Sequence, residues 1–543
     1  MGRGAMPDDM GRGTTPQTVA EALLADLARR GTRRIWGVPG GGSSLDLLLG
    51  MPRYGIEFVL AKHEGAAAMA ALADAELTGA PGVVLTTKGP GVGNALNGLA
   101  CASLERAPVV LVSDGFTPQQ LGWVTHQVFD QRAASAPYVA GYATGVDAAE
   151  VAALLDLAER ERRPVHLDLT GPAARRVPGI RTARHVAEKV AANLGHGAAL
   201  LLNARRPVLV AGLEAAEPAA AAALRVLAEA LQAPVLVTYK AKGVLPDAHP
   251  LHAGIFTGGT LEAPLMEVAD LILTIGLDTV ELILQPWRYA APVVDIALRP
   301  FAVRYVTPAA TLHGALAASL RSLHRAVHPM DWTLEEIAAH RATAERALAW
   351  EGDRGVSPPD IVRIAQQEAR RAGLAPRVAV DAGAHMFSAT AFWQCDAPRD
   401  LLISNGLASM GFALPAGIAA ALHDPGRGAI CFTGDGGLMM VAGELATAAA
   451  TGAKLVTVVF NDGALSLIDI KQQSRQLPPA GVRWTRPDFT RVAEGFGLRG
   501  FLATDPDSYA DALRAAFAHD GPSLIDVHVD PAGYPAQLRA MRG

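Results

Sequence analysis

Two short runs in the last third of the chain carry the clearest chemistry. Gly434-Asp435-Gly436-Gly437 follows the apolar run 429–433, and Asn461-Asp462-Gly463 follows a second apolar run, 455–460. Asp435 offers a carboxylate, Asn461 an amide oxygen 26 residues later, and Gly463 a backbone carbonyl. Three hard oxygen donors suit Mg²⁺, with phosphate oxygens completing an octahedron. The glycines at 434, 436 and 437 let backbone N–H groups approach a phosphate, and the start of the following helix adds a favourable dipole. Gly-Asp-Gly alone reads as a tight turn. The whole unit of strand, loop, helix, strand and second loop favours a metal–diphosphate site.

Such residues need a parallel sheet to bring them side by side. The run 429–433 predicts a buried strand, 438–451 a helix closed by Gly452, and 455–460 the next strand. In a βαβ unit Asp435 and Asn461 then stand at the carboxyl ends of two parallel strands, where open α/β sheets bind ligands. The same alternation fills the rest of the chain. Thr15 and Pro16 suit a helix start, Val19, Leu23 and Leu27 share one face, and Gly31 stops the helix. Strands are expected at 34–38, 56–61, 82–86 and 108–113, with a helix at 63–77. A second unit starts with a strand in 206–212, followed by strands at 234–238, 270–275 and 292–296 and an Ala-rich helix at 216–231. The expected organisation is a flexible lead over 1–14, domains at 15–180, 190–345 and 356–540, and a linker helix over 181–196. The fold class is α/β, with three consecutive open parallel-sheet domains.

Composition supports this and excludes other classes. The chain has 543 residues, 50% hydrophobic and 19% charged, enough for three buried cores. Its 48 basic residues against 53 acidic ones give a net charge of −5, which argues against a nucleic-acid binder. Cys101, Cys395 and Cys431 are too scattered for a disulfide framework or a zinc site. No apolar run reaches the roughly 20 residues of a membrane span, and the first residues lack a signal-peptide core. A cytoplasmic setting without membrane contact is expected.

Gly434-Asp435-Gly436 with Asn461 resembles the thiamine diphosphate (ThDP) binding motif. The first domain is similar to the pyrimidine-binding domain of the same superfamily, through Lys62-His63-Glu64-Gly65-Ala66-Ala67-Ala68-Met69-Ala70, Gly79-x-Pro81-Gly82-Val83 and Gly89-Pro90-Gly91-x-Gly93-Asn94. The order of pyrimidine-binding, central and diphosphate-binding domains is that of the acetolactate synthase, pyruvate oxidase and 2-oxo acid decarboxylase group. The resemblance implies ThDP and Mg²⁺ as cofactors, with Asp435, Asn461 and Gly463 on the metal. It makes Glu64 the carboxylate that hydrogen-bonds the cofactor's aminopyrimidine and governs its proton transfer, although by position alone Glu64 is a helix-start acid. It makes Met410 the apolar wedge under the cofactor and Ala408 the carbonyl that accepts from its amino group. Gly434, Gly436, Gly437, Leu465 and Ser466 then face the diphosphate. It further implies a homodimer or homotetramer with active sites between subunits, Glu64 of one chain serving the cofactor held by another.

Substrate-facing positions are mixed. Gln127 matches a glutamine that acetolactate synthases and pyruvate oxidases place over the thiazolium. His126 stands where those families carry phenylalanine, and a His-Gln pair is similar to carboxyethylarginine synthase. His126 and Gln127 are therefore candidate catalytic residues, since histidine titrates near neutrality. His385 is a further candidate to face the cofactor, and Lys88 reads as solvent-facing, with contact to an anionic substrate as the alternative. The Gln-Trp pair that acetolactate synthases carry after the metal turn is absent, with Ile470 at the tryptophan position. Leu465, Leu467 and Ile468 suggest an apolar substrate pocket. The implied reaction is ThDP- and Mg²⁺-dependent cleavage or formation of a C–C bond next to a carbonyl. Its simplest form is decarboxylation of a 2-oxo acid, with protonation or carboligation of the resulting enamine. The small-molecule substrate is then a 2-oxo acid or a 2-hydroxy carbonyl compound. A benzaldehyde-lyase-like enzyme acting on a 2-hydroxy ketone or 2-hydroxyacyl-CoA, and a non-catalytic ThDP-binding protein, are the alternatives. Gly212 ends a strand without a following GxGxxG, and Gly258-Gly259 is a weak loop signal, so FAD is not expected.

Overall fold

The computed structural model describes residues 16, 18–145, 147–170, 194–282, 286–301, 303–325 and 328–543. The expected lead at 1–14, Thr15, and most of the expected linker at 181–196 lie outside the described residues. The chain divides into two compact units, Met1–His185 and Val186–Gly543.

The first unit holds one six-stranded sheet built from β1 (Arg34–Val38), β2 (Glu57–Leu60), β3 (Gly82–Thr86), β4 (Val109–Asp114), β5 (Gly141–Ala143) and β6 (Val165–Leu169). Its order is β2-β1-β3-β4-β6-β5, parallel throughout. Every residue of β3, β4 and β6 is buried, as expected of strands covered on both faces. The first helix runs Val19–Arg30, and its cap is Thr18, whose hydroxyl accepts from the Glu21 N–H at 3.1 Å. Gly31 closes it at φ 100°. The expected helix at 63–77 runs Glu64–Thr78, and His63 stays outside as its cap, Nδ1 accepting from the Gly65 N–H at 3.0 Å.

The second unit holds two more parallel sheets. The central one contains β7 (Pro207–Ala211), β8 (Val235–Val237), β9 (His252–Ile255), β10 (Leu271–Ile275), β11 (Val293–Ala297) and β12 (Ala310–His313), in the order β12-β11-β10-β7-β8-β9. That is the dinucleotide-fold order, with its switch point between β7 and β10. The last contains β13 (Arg377–Val380), β14 (Leu401–Ile403), β15 (Ala429–Gly434), β16 (Leu455–Asn461), β17 (Arg499–Ala503) and β18 (Ser523–His528). Its order, β14-β13-β15-β16-β18-β17, repeats that of the first sheet, and its switch point lies between β13 and β15. The two sheets of this unit are tied directly: Lys240 Nζ donates to the Ile403 carbonyl at 3.1 Å, and the Cys395 N–H donates to Asp247 at 3.0 Å. Among the described residues no helix is long and apolar enough to cross a membrane.

A buried acid fills the central switch point. Glu281 accepts from the Leu213 N–H at 2.8 Å, the Asp278 N–H at 3.1 Å and the Thr238 hydroxyl at 2.5 Å. Burial pushes its carboxyl up to about 8, against the pull of those three donors. A folded-state value above the unfolded one gives stability that is complete below about 4.5 and lost as pH rises through about 8. Glutamine at this position keeps an oxygen for the two N–H groups, and the Thr238 hydroxyl rotates to accept from the new amide. Glu281→Gln is therefore expected to flatten the fall in urea midpoint between pH 5 and 8.5, and to raise the midpoint at the alkaline end. An unchanged slope would remove Glu281 as its source.

Candidate active site

The carboxyl ends of β15 and β16, beside the last switch point, gather the residues with metal and phosphate chemistry. Gly434 pairs with Phe460 across β15 and β16, so Asp435 and Asn461 follow side by side. Asp435 opens the helix Asp435–Val441 and is 2% exposed. Its Oδ1 accepts from the Gly436 N–H and its Oδ2 from the Gly463 N–H, both at 2.8 Å. Burial, then the neighbouring Asp462 charge, push its carboxyl up to about 7. Asn461 ends β16 with no exposed surface. Its amide N–H₂ donates to Asp526 Oδ1 at 2.9 Å and to the Pro487 carbonyl at 3.1 Å. That fixes the amide orientation and leaves Oδ1 buried without a partner. A buried acceptor with no donor, next to a carboxylate strained by like charge, fits a small divalent cation. The Gly463 carbonyl already accepts from the Trp484 N–H at 2.9 Å, which leaves it one further lone pair.

The glycines are required by close packing. A Cβ on Gly436 would stand 3.0 Å from Leu465 Cδ2 and 3.3 Å from both Met410 Cε and the Trp484 ring. A Cβ on Gly437 would come within 2.3 Å of Asp381 Oδ2, and one on Gly434 within 3.3 Å of the His385 ring. The expected helix over 438–451 is two pieces, Asp435–Val441 and Glu444–Thr451. At the join Leu445 and Ala446 donate three residues back, to Ala442 and Gly443, as in a 3₁₀ turn. The helical run also starts three residues earlier than expected, so the Gly-Asp-Gly motif contributes its first turn.

Asp381, just past β13, organises the neighbouring loop and had no role assigned from sequence. It is fully buried, and its two oxygens accept from the N–H groups of Ala382, Gly411 and Phe412 at 3.0–3.1 Å and from the Thr433 hydroxyl at 2.8 Å. It thereby holds the turn containing Ala408 and Met410, in which Ala408 is exposed with φ 52° and Met410 is half-buried. Burial pushes the Asp381 carboxyl up to about 6 despite these donors. Asp381→Asn replaces an acceptor oxygen by N–H₂ and orphans at least the Gly411 N–H, since the Thr433 hydroxyl can turn to accept, so it is expected to cost roughly 1–3 kcal/mol by urea denaturation. A loss below about 0.5 kcal/mol would contradict this role.

Leu465 and Ser466 lead into the helix Ser466–Ser474. The Leu465 N–H is spent on the Val482 carbonyl at 2.8 Å, and the Ser466 hydroxyl donates to Asp462. His385 is buried, packs its ring 5.0 Å from that of Phe460, and keeps Nε2 without a partner. Burial lowers its pKa to about 4, so the ring is neutral.

The first unit presents a second cluster. Glu64 begins its helix at 7% exposure, and its Oε2 accepts from Asn94 Nδ2 at 3.0 Å. A Cβ on Gly98 would lie 2.5 Å from that of Ala68, so small residues let the helices 64–78 and 90–104 approach and bring Asn94 to Glu64. Gly91 lies against Glu64, a Cβ there falling 3.3 Å from Oε1. Gly89, at φ 69°, lies under Gln127, whose carbonyl oxygen would be 2.6 Å from a Cβ on Gly89. Gln127 itself has φ 60°, and His126 and Gln127 are exposed in the loop before Gln131. Gln131 escaped notice in the sequence because nothing local marks it. Its Oε1 accepts from the Gly89 N–H at 2.6 Å, and its Nε2 donates to Asp168 at 2.9 Å. Lys88 is half-buried with Nζ 4.9 Å from the centre of the Phe116 ring, not directed to solvent alone.

Comparison with known proteins agrees with this layout. Residues 17–134 match the N-terminal TPP-binding domain of thiamine pyrophosphate enzymes, 195–323 their central domain, and 381–527 their C-terminal TPP-binding domain. The chain is 31% identical over 554 residues to a protein of Pseudomonas aeruginosa named "Probable 2-ketoarginine decarboxylase AruI", covering 94% of each. It is 29% identical over 541 residues to an acetolactate synthase of Bacillus subtilis, covering 94% of this chain and 93% of that one. It is 30% identical over 540 residues to a catabolic acetolactate synthase of Raoultella terrigena, covering 94% and 95%. Three domain matches in the order of the three sheets, together with end-to-end similarity to these enzymes, make the chain a member of the acetolactate-synthase-like thiamine diphosphate enzyme family.

Proposed function

We propose that the protein decarboxylates a 2-oxo acid with ThDP and Mg²⁺, and then protonates the product or joins it to a second carbonyl compound. The observation that carries this is the orphaned Asn461 Oδ1 beside Asp435 at the carboxyl ends of β15 and β16. Asp435, Asn461 and the free lone pair of Gly463 would hold Mg²⁺, and Gly434, Gly436 and Gly437 keep side chains away from the diphosphate. ThDP, when bound, supplies a carbon nucleophile and an electron sink for breaking the bond next to a carbonyl. Glu64 holds and passes a proton at its carboxylate, with Asn94 fixing one oxygen. Gln127 orients the substrate, and His126 carries a proton to or from it. Leu465 and Leu467, both half-buried, line an apolar wall that limits water. The decarboxylase name of the P. aeruginosa relative supports loss of CO₂ as the first outcome.

The active assembly in this reading is a homodimer or homotetramer, with Glu64 of one chain serving the Asp435 site of another. Flavin is not part of this reading, and Glu281 takes the N–H groups of Leu213 and Asp278 at the central switch point. The direct test is a screen of 2-oxo acids for CO₂ release by the full chain with ThDP and Mg²⁺, with and without aldehyde acceptors. Release from at least one acid is expected, and an acceptor diverting product into a 2-hydroxy ketone marks carboligation. Cleavage of 2-hydroxy ketones with no CO₂ from any acid would replace this reading with a lyase.

A further inference from the structure

A cavity of about 840 Å³ opens inside the second unit, and none of its lining residues belongs to the candidate active site. Its walls are β9, the helices Leu334–Leu348 and Pro358–Arg371, and residues 391–394. The helix 358–371 buries Ile361, Val362, Ala365 and Ala369. It turns Arg363, Gln366, Gln367, Arg370 and Arg371 toward the cavity, at the spacing of one helical face.

The charges there do not cancel. Arg363 pairs with Glu345 at 3.1 Å, Arg371 with Glu368 at 2.6 Å, and Lys242 with Asp247 at 2.6 Å. Arg341 reaches only the carbonyls of Asp247 and His249, at 3.4 and 3.5 Å, and Arg370 only the amide oxygen of Gln394, at 3.2 Å. Among the described residues, these two guanidinium groups have no carboxylate partner. His252, with its side chain 6% exposed, lines the same cavity, and its Nδ1 is buried without a hydrogen-bonding partner. Ile255, Leu261, Leu348, Phe392 and Met541 give the lining an apolar part, with the Arg363 guanidinium 4.3 Å from the centre of the Phe392 ring.

We propose that this cavity binds a phosphorylated ring compound of nucleoside mono- or diphosphate size. Two guanidinium forks without a carboxylate suit phosphate oxygens in the bidentate manner that a single ammonium cannot match. Inorganic phosphate alone would leave most of the volume and the whole apolar wall unused, whereas cavities of this size suit ring-bearing ligands. The buried His252 Nδ1, without a partner of its own, is a further polar group in the lining.

The test uses full-length holoenzyme saturated with ThDP and Mg²⁺, so that the cofactor site is already filled. ADP, AMP, inorganic phosphate and adenosine are titrated by calorimetry. ADP or AMP is expected to bind, with phosphate and adenosine each weaker. The Arg341→Ala/Arg370→Ala variant is expected to weaken nucleotide binding by about tenfold or more, and Arg341→Lys/Arg370→Lys by less. Basal turnover is expected to survive in both variants. No heat from any nucleotide with folded wild-type protein would overturn the proposal, as would equal binding by the alanine variant. A smaller oligomer on sizing the alanine variant would also overturn it, by making the cavity a subunit interface.

Discussion

Glu64→Gln is expected to abolish turnover while ThDP still binds. Glutamine has the same shape and keeps an oxygen for the Asn94 amide, which lies 3.0 Å from Glu64 Oε2. What it loses is the carboxylate's ability to take and return a proton. Positioned acid–base groups contribute about 10²- to 10⁴-fold, and a group that activates the cofactor itself sits at the top of that range. The measurement is kcat beside a ThDP titration followed by tryptophan fluorescence. The decisive pattern is a collapse in kcat of about 10³-fold or more with the binding curve shifted by less than about tenfold. Activity near that of the parent enzyme would strip Glu64 of its role.

Asp435→Ala should act on the other half of the machinery, by weakening binding rather than chemistry. The variant deletes the buried carboxylate and also leaves the N–H groups of Gly436 and Gly463 without their acceptor. Loss of a charged ligand to a divalent cation is expected to reduce the Mg²⁺-dependent affinity for ThDP by about 100-fold or more, on the order of 3 kcal/mol. Titrations at several Mg²⁺ concentrations read this directly, and superimposable curves would remove Asp435 from the metal. The two variants together test the subunit arrangement. With ThDP and Mg²⁺ held at levels that saturate only the parent enzyme, each alone is expected to be inactive, but co-expressed chains should recover about one quarter of the sites if Glu64 and Asp435 work in trans. No recovery, with mixed oligomers shown to form, would place both residues in one chain's site.

The sites differ in how far local sequence exposes them. Asp435 and Asn461 are readable as strand-end neighbours because a βαβ crossover leaves few other arrangements for two apolar runs with a helix between them. The similarity of 62–70 and 89–94 to a pyrimidine-binding domain points to Glu64 in the same way. Asp381 was open to the same argument, since it follows β13 as Asp435 follows β15, but a buried acceptor for Gly411, Phe412 and Thr433 has no local signature. Gln131 is similar, an ordinary glutamine until the fold carries it to the Gly89 N–H.

By itself the sequence determined the family, the α/β class and the three parallel sheets. Those follow from short-range features: apolar runs of strand length, helices ended by glycine, and motif residues at fixed spacing. Only the tertiary structure decided which way the Asn461 amide turns, because Asp526 and the Pro487 carbonyl, 65 and 26 residues distant, claim its N–H₂ and leave Oδ1 bare. It also decided that Glu281 would fill the central switch point and that Arg341 and Arg370 would meet no carboxylate. Hydrogen-bond direction, desolvation and charge pairing depend on atoms brought together from distant parts of the chain. A pattern of residue types along one segment does not contain them.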